Sequence, residues 1–375
     1  MKYDYLIIGA GYAGSVLAER IATQLDKKCL IVDKRNHIAG NAYDYYDESG
    51  VLVHKFGPHI FHTSSKKVWD YLSDFTTWNG YVHQVKAIVE GKAIPVPFNL
   101  NSIYQIFSPS YAGKLENKLL DHYGYGLKIP ILKMLEAKDE DLNFLANYIY
   151  KNVFLGYTQK QWGMKPEDLD SSVSSRVPVY ISRDDRYFQD TYQGIPEYGY
   201  TEMFKKILNH KNIHILLNAD FDDVKDGIQF DKLIFTGPID EYFDFIHGEL
   251  PYRSLNFEFR TFDTDIYQEV AQMNYPNNYD YTRITEFKYF SKQKINKTTI
   301  AYEYPQQFIK NQNDPYYPIP KEENNISFQK YKQEADKISE SVIFCGRLAE
   351  YKYYNMDQIV GIALQTFEKK IAKIR

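Results

Sequence analysis

Tyr3-Asp4-Tyr5-Leu6-Ile7-Ile8 runs straight into Gly9-Ala10-Gly11-Tyr12-Ala13-Gly14, and after Ser15 to Leu25 comes Cys29-Leu30-Ile31-Val32-Asp33. The first segment is β-branched and aromatic and is bounded by glycine, so it reads as a buried strand. Val16, Leu17, Ile21 and Ala22 recur at helical spacing. The last segment reads as a second buried strand that ends in an acid. Strand, three glycines, helix, strand and acid in this order form a dinucleotide-binding fingerprint. Gly9 permits the tight turn, Gly11 lets the backbone approach a pyrophosphate, and Gly14 lets the helix pack on the strand. The helix N-terminus offers N–H groups and a partial positive charge to phosphates. Asp33 stands about 20 residues beyond the glycines, where an acid accepts hydrogen bonds from a ribose.

After Asp33 the chain enters Lys34-Arg35-Asn36-His37-Ile38-Ala39-Gly40-Asn41-Ala42, polar and glycine-containing, where a nicotinamide enzyme usually starts another helix. Such a stretch fits either an extended flavin dinucleotide or an ordinary surface loop.

The chain has 375 residues, 45 Lys and Arg against 49 Asp and Glu, and a formal charge of −4. That balance argues against a dedicated nucleic-acid binder. The 35 Tyr and 23 Phe supply a large core, which excludes global disorder. Length allows two or three domains. Two cysteines, Cys29 and Cys345, make no disulfide framework and fit a reducing compartment. No apolar run approaches the ~18 residues of a membrane span, and the short N-terminal apolar stretch behind Asp4 is no signal peptide. The expectation is a soluble cytoplasmic protein with no metal site. His59 and His62 follow Gly57-Pro58, which opposes a helix, and no third ligand is evident.

Further along, Val82 to Ile94 reads as a hairpin turning at Glu90-Gly91-Lys92. From Ser102 to about Glu167 the pattern is mainly helical, with Ile103, Ile106, Leu115 and Leu119, then Leu145 and Ile149, at helical spacing. Lys165 to Arg176, with Pro166 and four serines, reads as a mobile loop able to close over a ligand. Strand patterns return at Lys232 to Phe235, Leu255 to Thr261, Thr298 to Glu303 and Ser341 to Cys345. A helix runs from about Asp357 to Lys373.

Seven strings, in order, carry a resemblance that spans essentially the whole chain. They are Asp33 to Ile38 with Gly40-Asn41-Ala42-Tyr43, then Gly57 to Thr63, and Gly156-Tyr157-Thr158-Gln159-Lys160-Gln161-Trp162-Gly163. Tyr192 to Pro196, Tyr281-Thr282-Arg283-Ile284, Pro315 to Pro318 and Gly346 to Tyr354 complete them. Together they resemble the UDP-galactopyranose mutases, FAD-dependent flavoproteins. The resemblance implies an α/β fold: a Rossmann-like FAD-binding domain with an inserted helical domain and a twisted antiparallel β-sheet domain. It places the FAD domain at residues 1–84, 191–245 and 325–375, and the helical domain at 98–172 with the mobile loop 165–176. The sheet domain takes 85–97, 177–190 and 246–324. The implied reaction interconverts UDP-galactopyranose and UDP-galactofuranose without net redox change. Reduced FAD acts as covalent nucleophile through a flavin N5–sugar adduct. A homodimer that supplies galactofuranose for surface polysaccharide, and binds neither nucleic acid nor membrane, is implied as well.

By motif position the resemblance assigns Arg176 and Arg283 to the diphosphate of the leaving UDP, where a planar guanidinium grips phosphate oxygens. Tyr187, Tyr317 and Tyr353 reach the same group with uncharged hydroxyls. Tyr157, Thr158 and Trp162 line the uracil and sugar region, with His83 and Asn274 near the substrate. Cofactor contacts fall to Gly9, Gly11, Ala13 and Gly14, to Asp33, Lys34 and Asn41, and to His59 and Ile60 beside the flavin. His59 is also a catalytic candidate for proton handling. Arg347 and the run Asn355, Met356, Asp357, Gln358 and Ile359 complete the cofactor set. The chain departs from the pattern at Asn355, Tyr180, Arg183 and His83, and by one residue between Asn274 and Arg283. Those departures leave UDP-N-acetylgalactosamine open as an alternative substrate. A flavin oxidoreductase of the amine-oxidase kind shares the nucleotide domain but gives no reason for the Trp162 and Tyr353 motifs.

Overall fold

The computed structural model describes residues 2–169 and 177–372. The chain divides into two compact units, Met1–Tyr81 with Asp190–Tyr252 and Lys310–Arg375, and Val82–Gln189 with Arg253–Ile309.

In the first unit five parallel strands form one sheet in the order Ile213–Leu217, Cys29–Asp33, Lys2–Ile8, Gln229–Phe235, Val342–Phe344. The chain builds outward to one side of Lys2–Ile8, then reverses to the other. The carboxyl end of that strand is therefore a topological switch point, where such sheets bind ligands. Cys29–Asp33 and the carboxyl ends of Lys2–Ile8 and Gln229–Phe235 are buried, mainly apolar runs because both faces are covered there, whereas edge strand Ile213–Leu217 exposes Ile215 and Leu216. Helix Tyr12–Leu25 lays Val16, Leu17 and Ile21 into the core and packs against helix Met356–Thr366. The expected Rossmann-like α/β class holds.

The second unit contains a sheet in which Tyr252–Phe262, Thr298–Gln307, Arg283–Glu286, Gln272–Asn274, Val85–Val89 and Lys92–Val96 lie side by side. The pairs are antiparallel except Gln272–Asn274 with Val85–Val89, which run parallel. Gln272–Asn274, far away in sequence, pairs with the edge of the hairpin on the Val85–Val89 side. The hairpin turns at Glu90 (φ 49°) and Gly91 (φ 77°), two left-handed residues matching the strand twist. Helices Leu100–Ile106, Pro109–Tyr123 and Glu140–Ile149 share a core with the hairpin through Phe98, Leu115, Ile131, Leu145 and Ile149. Asn99 and Asp139 cap two of these helices.

The sequence reading missed helix Glu322–Lys337. Only Asn324, Tyr331 and Ala335 of it are buried, so its apolar stripe is too thin to show a period.

Candidate functional site

The first unit carries a cleft at the switch point. Ile8, Val32 and Phe235 lie in register at the carboxyl ends of adjacent strands, and the chain leaves each strand end around the same opening. Gly9 has φ +103°, and a Cβ there would sit 2.1 Å from Thr236 Oγ1. A Cβ on Gly14 would sit 2.0 Å from the Gly9 carbonyl oxygen and 3.1 Å from Ile7, so this glycine sets helix–strand packing. The helix starts at Gly11 with no side-chain cap and no acid in its first turn. Its N–H groups are left for a ligand, the arrangement that binds a pyrophosphate.

Gly9, Gly11 and Ala13 line one wall, and Asp33, Lys34 and Asn41 another. Asp33 accepts from the N–H groups of Ala10 (2.8 Å) and Arg35 (2.9 Å), which fix its carboxylate at the strand end. Arg347 faces the cleft while donating to the carbonyls of Tyr316 (3.2 Å) and Tyr354 (2.6 Å). Its guanidinium lies 5.4 Å from the Tyr353 ring centre, and Tyr353 meets Tyr317 edge-on at 5.3 Å.

His59 also lines the cleft. Its Nδ1 donates to the Gly57 carbonyl at 2.8 Å, which fixes the tautomer because a carbonyl only accepts. Its backbone N–H donates to Nδ1 of His54 at 3.0 Å, and Tyr200 donates to its carbonyl at 3.1 Å. Burial, with His59 nearby, holds the His54 pKa well below the ordinary value, so His54 stays neutral and able to accept.

Not every proposed cofactor contact faces this space. Met356 and Ile359 do. Asn355 instead caps helix Met356–Thr366 and pairs with Gln358 in a reciprocal capping box, with Asn355 N–H donating to Gln358 Oε1 at 2.9 Å. Asp357 accepts from the Thr63 hydroxyl at 3.0 Å. Ile60 is buried beside His59. Sequence reading missed Thr236 and Glu241 as cleft residues, and took Arg35 and Gly40 only as part of the stretch that could lie along a flavin dinucleotide. Gly40 was legible in principle: at φ +54° a Cβ would sit 2.9 Å from Gly11 Cα. Arg35 reaches Asn41 Oδ1 (2.9 Å), Asp314 (3.2 Å) and the face of Phe56 (4.3 Å). Burial raises the Glu241 pKa, opposed by Lys34.

The second unit brings a different group together. Asn274, Arg283 and Glu303 stand opposite one another on three neighbouring strands, so their side chains share one face of the sheet. Arg283 Nε and Nη2 both reach Glu303 Oε2, at 2.7 and 2.6 Å. Glu303 is only 1% exposed and Arg283 22%. Helix Gly156–Trp162, bearing Tyr157, Thr158 and Trp162, packs on strand Thr298–Gln307, which carries Glu303. Buried Arg253 donates from Nε to the carbonyl of Gln161 (3.0 Å) and from Nη2 to that of Lys160 (3.2 Å), holding the helix end. His83 and Tyr187 form a separate pair, their rings edge-on at 5.6 Å and Tyr187 N–H donating to the His83 carbonyl at 2.8 Å. Arg176 and the serine-rich part of the expected mobile loop lie outside the described residues.

Comparison with known proteins bears on the whole chain. The UDP-galactopyranose mutase family model matches residues 152–353, and a model of NAD(P)-binding Rossmann-like domains matches residues 7–75. A probable UDP-galactopyranose mutase of Klebsiella pneumoniae is 36% identical over 373 residues, 99% of this chain and 95% of that protein. The chain belongs to the UDP-galactopyranose mutase family.

The family assignment makes the chain an isomerase with a dinucleotide-binding fold of the flavoprotein kind. A dTDP-fucopyranose mutase of Escherichia coli is equally similar, 36% identical over 367 residues and 96% of both chains. The crystal structure of a reduced UDP-galactopyranose mutase shares the fold, with a TM-score of 0.74, 15% identity, and coverage of 100% of this chain and 95% of that one. Among the described residues of this mutase-family chain, no helix is long and apolar enough to cross a membrane.

Proposed function

We propose that the chain interconverts UDP-galactopyranose and UDP-galactofuranose, with FAD held in the cleft of the first unit. The observation that carries the substrate reading is the row Asn274–Arg283–Glu303, an arginine aimed by a buried acid on one sheet face. The cleft suits the cofactor: Gly9 and Gly40 stand where a side chain would collide, and an uncapped helix start faces the opening. The helix N-terminus would hold the pyrophosphate, with Asp33 and Lys34 toward a ribose. When reduced and bound, the flavin supplies the nucleophile for the anomeric carbon with no net redox change.

The chain's own residues do the rest. As the sugar–phosphate bond breaks, negative charge grows on UDP. Arg283, with Arg176 from the loop, meets that charge in a partly dry site. Glu303 fixes the direction of the Arg283 fork and balances its charge until the diphosphate arrives. Tyr187, Tyr317 and Tyr353 donate hydrogen bonds to the diphosphate without adding charge. Tyr157, Thr158 and Trp162 hold uracil and sugar, with His83 and Asn274 nearby. His59, its Nδ1 proton committed to Gly57, is oriented for proton handling. Closure of loop 165–176, a cytoplasmic homodimer, and a three-part division into FAD, helical and sheet domains belong to the same reading.

The Escherichia coli relative supports a second reading, in which the sugar nucleotide is a dTDP-6-deoxyhexose. Dithionite-reduced holoprotein should be given UDP-galactofuranose, UDP-N-acetylgalactosamine and dTDP-fucopyranose in turn, with products resolved by chromatography. Conversion of the first supports the proposal, and conversion of dTDP-fucopyranose alone moves the assignment to the second reading. Turnover of none removes both.

A further inference from the structure

Lys160 belongs to the Gly156–Gly163 string but has no role in the reading above. Its ammonium donates to the backbone carbonyls of Tyr275 (2.5 Å), Tyr279 (2.8 Å) and Tyr281 (3.2 Å). An ammonium has three donors, and here three carbonyls of one loop take all of them. The loop curls so that these oxygens converge. Tyr275 N–H donates to the Thr282 carbonyl at 2.8 Å, closing its neck, and Asn278 is left-handed at φ 64°. Converging carbonyl dipoles repel one another unless a cation sits among them.

Two further contacts press the same loop onto the same helical run. A Cβ on Gly156 would sit 2.4 Å from the Pro276 carbonyl oxygen, so only glycine allows the approach. Asn277 Nδ2 donates to the Asn152 carbonyl at 2.9 Å. The loop's two ends are Asn274 and Arg283, paired in register.

We infer that Lys160 is a positioning residue for the sugar-nucleotide site: it pins loop 275–281 to the helix bearing Tyr157, Thr158 and Trp162, and so sets Asn274 and Arg283 relative to that helix. This rests on the reading that Arg283 meets the diphosphate. Displacement of such a group by about 1 Å costs as much as 10²-fold in rate. Burial pushes the Lys160 pKa down to about 8, with Asp280 opposing. The other ionisable groups on the elements packed around it are Tyr275, Tyr279 and Tyr281 of the loop, whose rings pack on one another, and Arg253, which donates to the Lys160 carbonyl from the sheet. The neutral amine has only two donors for three carbonyls, so the pin loosens as pH rises through about 8.

The test uses reduced holoprotein, wild type with Lys160→Met and Lys160→Arg. UDP affinity comes from calorimetry between pH 7 and 9, and hydrogen exchange is read over residues 275–281. Lys160→Met should keep its flavin, bind UDP roughly 10- to 100-fold more weakly, as expected for lost charged hydrogen bonds, and exchange faster in the loop. Wild-type affinity should fall across pH 8, whereas Lys160→Arg, charged throughout, should restore binding and flatten the profile. UDP binding by Lys160→Met within about twofold of wild type, or unchanged loop exchange, overturns the inference. If wild type itself binds no UDP, the substrate reading fails, while loop exchange still decides the role of Lys160. If Lys160→Met does not fold, the pH profiles of wild type and Lys160→Arg decide, and equal slopes overturn it.

Discussion

The cleft of the first unit and the arginine row of the second are built in opposite ways. The phosphate-binding wall of the cleft is made largely of backbone from one short stretch: Gly9 and Gly14 matter for side chains they lack, and the helix start offers N–H groups. The row is made of side chains from three strands, Asn274, Arg283 and Glu303, brought into line by sheet register. A site of the first kind should fail sterically and lose its cofactor. A site of the second kind should fail electrostatically and lose turnover while keeping its cofactor.

The largest expected effect tests the second half of that contrast. Arg283→Ala should lower kcat/KM by roughly 10²–10³ with flavin content unchanged. It also leaves Glu303 buried and unpaired, which costs about 3–5 kcal/mol of stability. The double variant Arg283→Met with Glu303→Leu should recover most of the stability and none of the turnover. Denaturant melts and steady-state kinetics separate the two. Parallel loss of flavin in Arg283→Ala would erase the contrast.

Next in size is Gly14→Ala, whose methyl would meet the Gly9 carbonyl at 2.0 Å. It should cost about 3 kcal/mol, at the upper end of overpacking, and strip flavin from the purified protein. Gly50→Ala is the control. It has φ +81° with nothing within 4 Å of a new Cβ, so it bears only backbone strain of about 1 kcal/mol and should stay yellow. A yellow Gly14→Ala protein with native stability would show that helix–strand contact at this point is dispensable.

A third test sharpens the role of the histidine pair. His54 has a folded pKa below its unfolded value near ~6.5. The unfolded chain therefore takes up the proton first, and stability is lost as pH falls below about 6.5, by up to ~1.4 kcal/mol per unit. Buried His37, also shifted down by burial, adds in the same direction. His54→Asn keeps an acceptor for the His59 N–H and should make the slope between pH 7 and 5 shallower in urea melts. The smallest effect is expected for Thr236→Val, which removes the 2.7 Å hydrogen bond to the Ile8 carbonyl. About 1 kcal/mol and a modest loss of cofactor affinity should follow, seen by titrating apoprotein with FAD.

The two halves differed equally in how far they could be read. Strand, glycines, helix and acid were legible because each constraint acts within a few residues of the one that causes it. Hairpin Val85–Val96 was legible for the same reason, through Glu90 and Gly91. Arg283 and Asn274 were reached only through family resemblance, since nothing local shows that they face each other across a strand pair. Asn355 was likewise named through motif position, while its role as a helix cap came only from the structure. Arg253 and Glu303 carry no sequence signal of their contacts, and Lys160 was legible only as a member of the Gly156–Gly163 string, because a surface lysine and one aimed at three carbonyls read alike.

Sequence alone determined the dinucleotide unit and the class of the fold, since steric demands on Gly9 and Gly14 and apolar periodicity are local properties of the chain. Family motifs added the reaction class. Only tertiary structure decided which acid holds Arg283, which carbonyls hold Lys160 and which proposed residues face the cleft. Those depend on strand register, as for Arg283 and Glu303 on neighbouring strands, and on loop closure between distant segments, such as Lys160 and Tyr275, 115 residues apart, and no local pattern encodes either.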